Sequence, residues 1–331
     1  MLHGPITRRY FVSCLSGAAV AWPLAARAQQ PAMPAIGYFS NRSLETEAYL
    51  LEFFRKGLAE TGYVIDQSAA IELRFSEGRE DLLPGLAADL VQRQVSVLVA
   101  NDPASALAAK AATSTIPIVF ASGRDPVELG LVASLNRPGG NATGVYGFVT
   151  ELGPKRLHLL RELVPNTKLI AFIINPSSMN APFLVNEMLA AAQAAGQDIL
   201  VVNASNESEI EAAFATMIER KAGAIIYGAN TWFQVIRERL VALTARHAIP
   251  AMYEWREFVT AGGLISYNTS RAETLQQMGV YAGRILKGAR PGDLPVVQSS
   301  RFELAINLKT AKALGLEVPD KLLALADEVI E

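Results

Sequence analysis

Apolar, β-branched runs recur along the chain, with polar segments of helical period between them. The runs are "AIGYFS" (35–40), "VSVLVAN" (95–101), "PIVFAS" (117–122), "LIAFIIN" (169–175), "DILVVNA" (198–204), "AGAIIYGAN" (222–230) and "IPAMYEW" (249–255). They are apolar throughout instead of alternating, the pattern of parallel strands covered on both faces. The intervening segments predict helices over 47–61, 82–94, 104–113, 154–164, 182–195, 207–221 and 231–247. In the first, Ala48, Leu51, Phe54 and Leu58 form the apolar face, and Gly62 closes the helix. Strands joined by helical, right-handed crossovers give an α/β fold of the doubly wound, Rossmann-like kind.

The strand count exceeds one modest sheet. A Gly- and Pro-rich break, "LNRPGGNATGVYGFVTELGP" (135–154), precedes a restart of the pattern at Lys168. Two doubly wound lobes with a hinge and an interlobe cleft follow from this. The tail differs: "GARPGDLPVV" (288–297) is extended, and "FELAINLKTAKALGLEVP" reads as a strand and a short helix that cross between lobes again.

The chain has 331 residues, half of them hydrophobic (50%), which is enough for two cores. Its net charge is -2, and without Arg8, Arg9 and Arg27 it is more acidic still. Nucleic acid is therefore a poor partner, since unspecific binding to it needs a basic footprint.

Those arginines belong to "TRRYFVSCLSGAAVAWPLAARAQQ" (7–30). Tyr10 to Ala26 is uncharged but short for a spanning helix, and Gly17 and Pro23 interrupt it. It ends in Ala26-Arg27-Ala28, a signal-peptidase pattern, and Thr7-Arg8-Arg9-Tyr10-Phe11-Val12 resembles a twin-arginine export signal. The expectation is a signal peptide over 1–28, cleaved after Ala28, and a periplasmic mature protein. An uncleaved anchor or a buried first helix is the alternative. The single cysteine, Cys14, lies inside this segment, so the mature chain has no disulfide, Cys-ligated zinc or thiol nucleophile.

Motifs for catalysis are missing. There is no Walker A sequence, no G-x-G-x-x-G after a strand, no H-E-x-x-H and no G-x-S-x-G. Beyond the opening segment only His158 and His247 remain, far apart and without metal-pair spacing, and each reads as a helix-surface or last-turn residue. The expectation is a binding protein and not an enzyme, with no catalytic residue, metal or cofactor. A periplasmic hydrolase or isomerase stays open as an alternative.

Ligands of open α/β sheets bind beyond the carboxyl ends of the strands. Here those ends carry Ser40-Asn41, Asn101 with Ser105, Ser122-Gly123, Asn175, Asn230 and Glu254. Hydroxyl and amide residues at helix N-termini cap the helix and also present N–H groups to an anion. Ser105 and Ser122 are candidates for holding a carboxylate, and Glu254 for balancing an ammonium. Tyr146, Phe148, Trp232, Tyr253, Trp255 and Tyr267 are candidate aromatic walls.

Several segments carry a resemblance: "FRKGLAETGYV", "LAADLVQRQVSVLVA", "AAKAATSTIPIVF", "DPVELGLVASLNRPGGNATGV", "ELGPKRLHLLRELVP", "YEWREFVTAGGLISY" and "FELAINLKTAKALGLEVPDKLLALADEVIE". The chain resembles the ABC-transporter substrate-binding proteins of the tryptophan/tyrosine-binding type, a family with the type I periplasmic-binding fold. The resemblance covers nearly the whole mature chain. It implies two lobes linked by three crossings, 34–147 plus about 264–295 and 148–263 plus about 296–331. It implies closure on a ligand, and the expectation is a monomeric receptor for a small carboxylate or amino acid. The loaded receptor would deliver it to a membrane permease driven by a separate ATPase, or to a membrane sensor. Asn101, Ser105, Ser122 and Gly123 match its N-lobe ligand group, and Asn230 and Glu254 its C-lobe group. Asn268 stands where the family commonly has Gly, which would narrow the cleft floor.

Overall fold

The computed structural model describes residues 33–331. The predicted signal peptide, 1–28, lies outside the described residues. The N-lobe opens with β1 (Ala35–Ser40), α1 (Leu44–Glu60), β2 (Ala70–Phe75), α2 (Leu83–Gln92), β3 (Val97–Ala100), α3 (Pro103–Ala112), β4 (Ile118–Ser122) and β5 (Ala142–Tyr146). The C-lobe follows with α4 (Gly153–Leu163), β6 (Leu169–Ile174), α5 (Ala181–Ala195), β7 (Asp198–Asn203), α6 (Glu207–Glu219) and β8 (Ala224–Tyr227). It continues through α7 (Thr231–Val235), α8 (Arg237–Arg246), β9 (Ala251–Tyr253), α9 (Arg256–Thr260) and β10 (Ile265–Thr269). The chain returns to the N-lobe for α10 (Arg271–Leu286) and β11 (Val297–Gln298). It ends in the C-lobe with β12 (Phe302–Asn307), α11 (Leu308–Ala313), α12 (Asp320–Leu325) and β13 (Glu328–Ile330).

The N-lobe sheet has the order β11-β5-β4-β3-β1-β2, and the C-lobe sheet β13-β12-β10-β9-β8-β6-β7. Every pairing is parallel except β10 with β12. The strand order therefore turns back beside β1 in one lobe and beside β6 in the other, and those are the points where a crevice opens at the strand ends. Each apolar run of the sequence is a strand. β2, β5, β10, β11 and β13 lie outside the predicted runs. They carry polar residues such as Glu72, Arg74 and Asn268, or span only two or three residues.

In the N-lobe, Tyr38, Phe54 and Met278 pack on one face of the sheet and Phe39, Leu90 and Phe120 on the other. The C-lobe core centres on Phe172, Tyr227, Tyr253 and Phe258. The buried face of α1 is Thr46, Glu47, Leu50, Leu51, Phe54, Gly57 and Leu58. Ala48 is exposed, so the face is turned one position from the predicted one, and a carboxylate sits in it. α1 packs directly on α10. A Cβ at Gly57 would stand 1.8 Å from the Gln276 carbonyl oxygen, and one at Gly279 2.1 Å from that of Phe54.

The lobe boundaries need one correction. β10 pairs with β9 and β12 in the C-lobe sheet, while β11 pairs with β5 in the N-lobe sheet. The returning N-lobe segment therefore starts at α10 and includes β11, instead of running over about 264–295. The three crossings lie together: the Ser270 N–H donates to the Arg301 carbonyl (2.9 Å) and the Ser299 N–H to the Tyr146 carbonyl (2.8 Å). At the first crossing Phe148 takes a left-handed conformation, φ 53°, an uncommon setting for a bulky side chain.

Candidate ligand-binding site

The carboxyl ends of the two sheets face each other across a cleft lined by both lobes, the place where open α/β sheets bind their ligands. The N-lobe supplies Arg42 after β1, Asn101 to Ala104 after β3 and Ala121 to Gly123 at the end of β4. The C-lobe supplies Met179, Asn230, Gln234, Glu254 and Trp255, and Val149, Thr269 and Arg271 line the hinge side. Gly123 lets Val149 approach, because a Cβ there would stand 2.8 Å from the Val149 Cβ.

A buried ionic network forms one wall. Glu47 is fully buried; its Oε1 accepts from Arg42 Nη1 (3.3 Å) and Arg271 Nη2 (2.9 Å). Its Oε2 accepts from the Tyr38 hydroxyl (2.5 Å) and Asn101 Nδ2 (2.7 Å). Arg271 continues to the C-lobe, where Nη1 donates to Glu257 Oε1 (2.8 Å) and Gln234 Oε1 (3.4 Å). Its guanidinium carbon lies 5.2 Å from the centre of the Trp255 ring. The Tyr49 hydroxyl also donates to Glu257. Buried charges persist only when paired, and each charge of this network has a partner of opposite sign.

Glu254 is set apart. It is 6% exposed, and among the described residues its Oε2 accepts only the Asn230 N–H (3.2 Å). Burial pushes its carboxyl above the ordinary value, and Arg156, Arg42, the Asn230 N–H and Arg271 pull the other way without offsetting it. A cation entering the cleft beside Glu254 would gain from that unbalanced carboxylate.

Of the residues expected from sequence, Asn101, Ser122, Gly123, Asn230 and Glu254 line the cleft. Asn41 and Asn175 line a separate depression at its mouth, with Trp232. Ser40, Ser105, Tyr146 and Tyr267 are not brought to the cleft surface. Ser40 and Ser105 turn their hydroxyls to Asp102 Oδ2 (3.3 and 2.7 Å), because Asp102 caps α3 and needs donors. Tyr146 packs on Phe148, with ring centres 4.3 Å apart, and Tyr267 stacks on Phe302. Ser122 donates to the Arg124 carbonyl (2.5 Å), so its hydroxyl proton is committed within its own turn. Trp255 is the one predicted aromatic wall in the cleft proper, while Tyr253 stacks in the core on Tyr227. Asn268 faces a side cavity and not the cleft floor. His158 pairs with Glu162 on the surface and His247 ends α8. Arg42, Arg271, Gln234 and the Glu47 network escaped the sequence reading. The available signal was Glu47 inside the apolar stripe of α1, since a carboxylate on a core face needs cations beside it.

This two-lobed geometry has close relatives. Residues 47–330 match the family model described as ABC transporter substrate binding protein. The chain belongs to that family. It is 28% identical over 265 residues to a tyrosine-binding protein of Clostridioides difficile, covering 80% of this chain and 76% of the relative. Among solved structures, the ABC domain in complex with L-Trp from Streptococcus pneumonia superposes with TM-score 0.80 at 27% identity, covering 90% of this chain and 99% of that one. A conserved domain protein from Vibrio cholerae gives TM-score 0.81 at 25% identity, with the same coverage. As an ABC transporter substrate-binding protein, this chain has a small-molecule ligand and a membrane transporter for partners, and it belongs to a family of carriers and not of enzymes. No helix among the described residues is long and apolar enough to cross a membrane. Nor do the described residues hold a group of three or more His, Cys, Asp or Glu able to bind a metal ion.

Proposed function

We propose that this protein is the exported, monomeric receptor of an ABC importer, and that it takes up an amino acid, with an aromatic side chain favoured, in the interlobe cleft. The observation that carries this reading is the pairing of a buried, under-neutralised Glu254 on one lobe with a guanidinium-lined wall on the other. The tyrosine-binding relative and the L-Trp-bound structure support the aromatic class. Trp255, Met179 and Val149 supply apolar surface for the side chain.

Transport follows by hinge closure about the three crossings. Contacts made by both lobes bind the closed form better than the open one, and only that difference shifts the equilibrium. The closed form then docks on a permease driven by a separate ATPase. Residues 1–28 act as the twin-arginine signal and are removed after Ala28, so the receptor folds before export.

Thermal melting of the mature protein against a panel of the natural amino acids tests the reading. A ligand at one hundred times its Kd adds about 2.7 kcal/mol to the folded state, so one or a few aromatic members should raise the melting temperature clearly. A panel that leaves it unmoved removes the amino-acid reading.

A further inference from the structure

The expected carboxylate holders are occupied. The Ser105 N–H donates to Asp102 Oδ1 (2.8 Å), so α3 already carries an anion at its N-terminus, and it is the protein's own. Asp102 also takes the Asn41 N–H (2.7 Å) and the Ser40 and Ser105 hydroxyls. A second carboxylate placed there would meet this charge at close range.

Two other donors in the same cleft have no partner among the described residues. Arg42 is 8% exposed and Gln234 is 1% exposed. Arg42 Nε and Gln234 Nε2 are both buried without a hydrogen-bond acceptor. Among the described residues the Arg42 guanidinium donates through Nη1 alone, to Glu47 Oε1 and to the Asn101 carbonyl (2.7 Å). That leaves the edge formed by Nε and Nη2 without a partner among the described residues, and this edge is one that grips a carboxylate in two parallel bonds. Gln234 has its orientation set by Arg271, which donates to Oε1 and so leaves Nε2 as the donor without a partner among the described residues. Arg42, Glu47, Arg271 and Gln234 form one continuous chain of contacts, so the two unpartnered donors belong to the same wall but come from opposite lobes. Buried donors left unpaired are costly, and a missing ligand atom accounts for both at once.

We infer that Arg42, through its Nε/Nη2 edge, together with Gln234 Nε2, receives the carboxylate of the ligand. This rests on the amino-acid reading above and sharpens it. Arg42 belongs to the N-lobe and Gln234 to the C-lobe, so one carboxylate bonds both lobes and favours closure. The charges select the ligand's form. Arg42 and Arg271 are matched by Glu47 and Glu257, and of the cations around Glu254 it is Arg156 that pulls on it most strongly. A zwitterion adds one charge of each sign and leaves the net charge of the cleft unchanged. A net anion or net cation leaves a buried charge unmatched.

The test compares L-tryptophan with L-tryptophanamide, which keeps the ammonium and side chain but neutralises the carboxylate. Calorimetry is run on the mature wild type, Arg42→Lys and Gln234→Met, with circular dichroism as the folding control. Wild type should prefer the acid. In Arg42→Lys the acid should lose about 10- to 100-fold in affinity while the amide changes by less than about threefold, so the preference collapses. Gln234→Met should act in the same direction by about 2- to 10-fold. An unchanged preference in Arg42→Lys overturns the assignment. So does equal loss of acid and amide, which makes Arg42 a structural residue. A folded wild type that binds neither probe nor any other amino acid overturns the receptor reading itself, a result distinct from either.

Discussion

Arg271 reaches across the lobe boundary to Glu257, Nη1 to Oε1 at 2.8 Å, while Nη2 holds Glu47 of the N-lobe at 2.9 Å. One side chain, at the first residue after the second crossing, thus reads the position of both lobes. Replacing it with Met takes from Glu257 its ion pair and leaves the buried Glu47 with Arg42 alone. Breaking a buried pair typically costs about 3–5 kcal/mol, so Arg271→Met should lose that much in denaturant unfolding and scatter X-rays as a more open particle. An unchanged midpoint and radius of gyration would show that the contact does not hold the lobes.

The same contact should open in acid. Burial pushes the Glu257 carboxyl up, but Arg271 and the Tyr49 hydroxyl outweigh it and hold the group below its ordinary value of 4.5. For a depressed carboxylate the stabilisation is complete above the ordinary value and is lost as the pH falls below it through the folded-state value. Scattering of the ligand-free protein should therefore be constant from neutral pH to about 5 and expand below 4.5. Glu257→Gln should be expanded at neutral pH already. Expansion that begins well above pH 5 would assign the transition to another group.

Glu254 behaves in the opposite sense. Its raised pKa means that protonation begins above the ordinary carboxylate range, and the protonated form cannot pair with an ammonium. Stability that this group contributes is present below the ordinary value and is lost as the pH rises through the folded-state value, so the ligand-free cleft is uneasy at neutral pH. Amino-acid affinity should fall on acidification before the Glu257 contact opens. Glu254→Gln should bind about 10- to 100-fold more weakly at neutral pH and lose that pH dependence. Equal affinities of the variant and the wild type would place the ammonium elsewhere.

The contact of α1 with α10 leaves no room for a methyl group. Gly279→Ala would bring its Cβ against the Phe54 carbonyl, backbone against backbone, where no rotamer change can relieve it. Overpacking of this kind costs about 1–3 kcal/mol. The predicted loss appears in chemical unfolding, with ligand affinity unchanged in the folded fraction. A variant as stable as wild type would mean that the two helices separate without penalty.

The lobes were legible because buried parallel strands such as 169–174 and 224–227 are apolar throughout. β10 was not, since Ser266, Asn268 and Thr269 make it polar, and a strand's own residues do not say which sheet it joins. Strand ends pointed to the cleft, so Asn101, Ser122, Asn230 and Glu254 were found. Direction was the missing information. Ser105 and Ser40 sit at the right positions but face Asp102, and Tyr146 at the end of β5 packs on Phe148. Arg42 and Arg271 were hidden for a different reason. Each lies beside a capping residue in sequence, and the carboxylate that connects them, Glu47, is separated from Arg271 by more than two hundred positions.

Titration calorimetry of the mature protein with L-tryptophan and with L-tyrosine, followed by recovery of the ligand, addresses the central claim most directly. Saturable binding of one molecule per chain, with the amino acid recovered chemically unchanged, is the predicted result. Absence of saturable binding by any natural amino acid, or recovery of an altered compound, would contradict it.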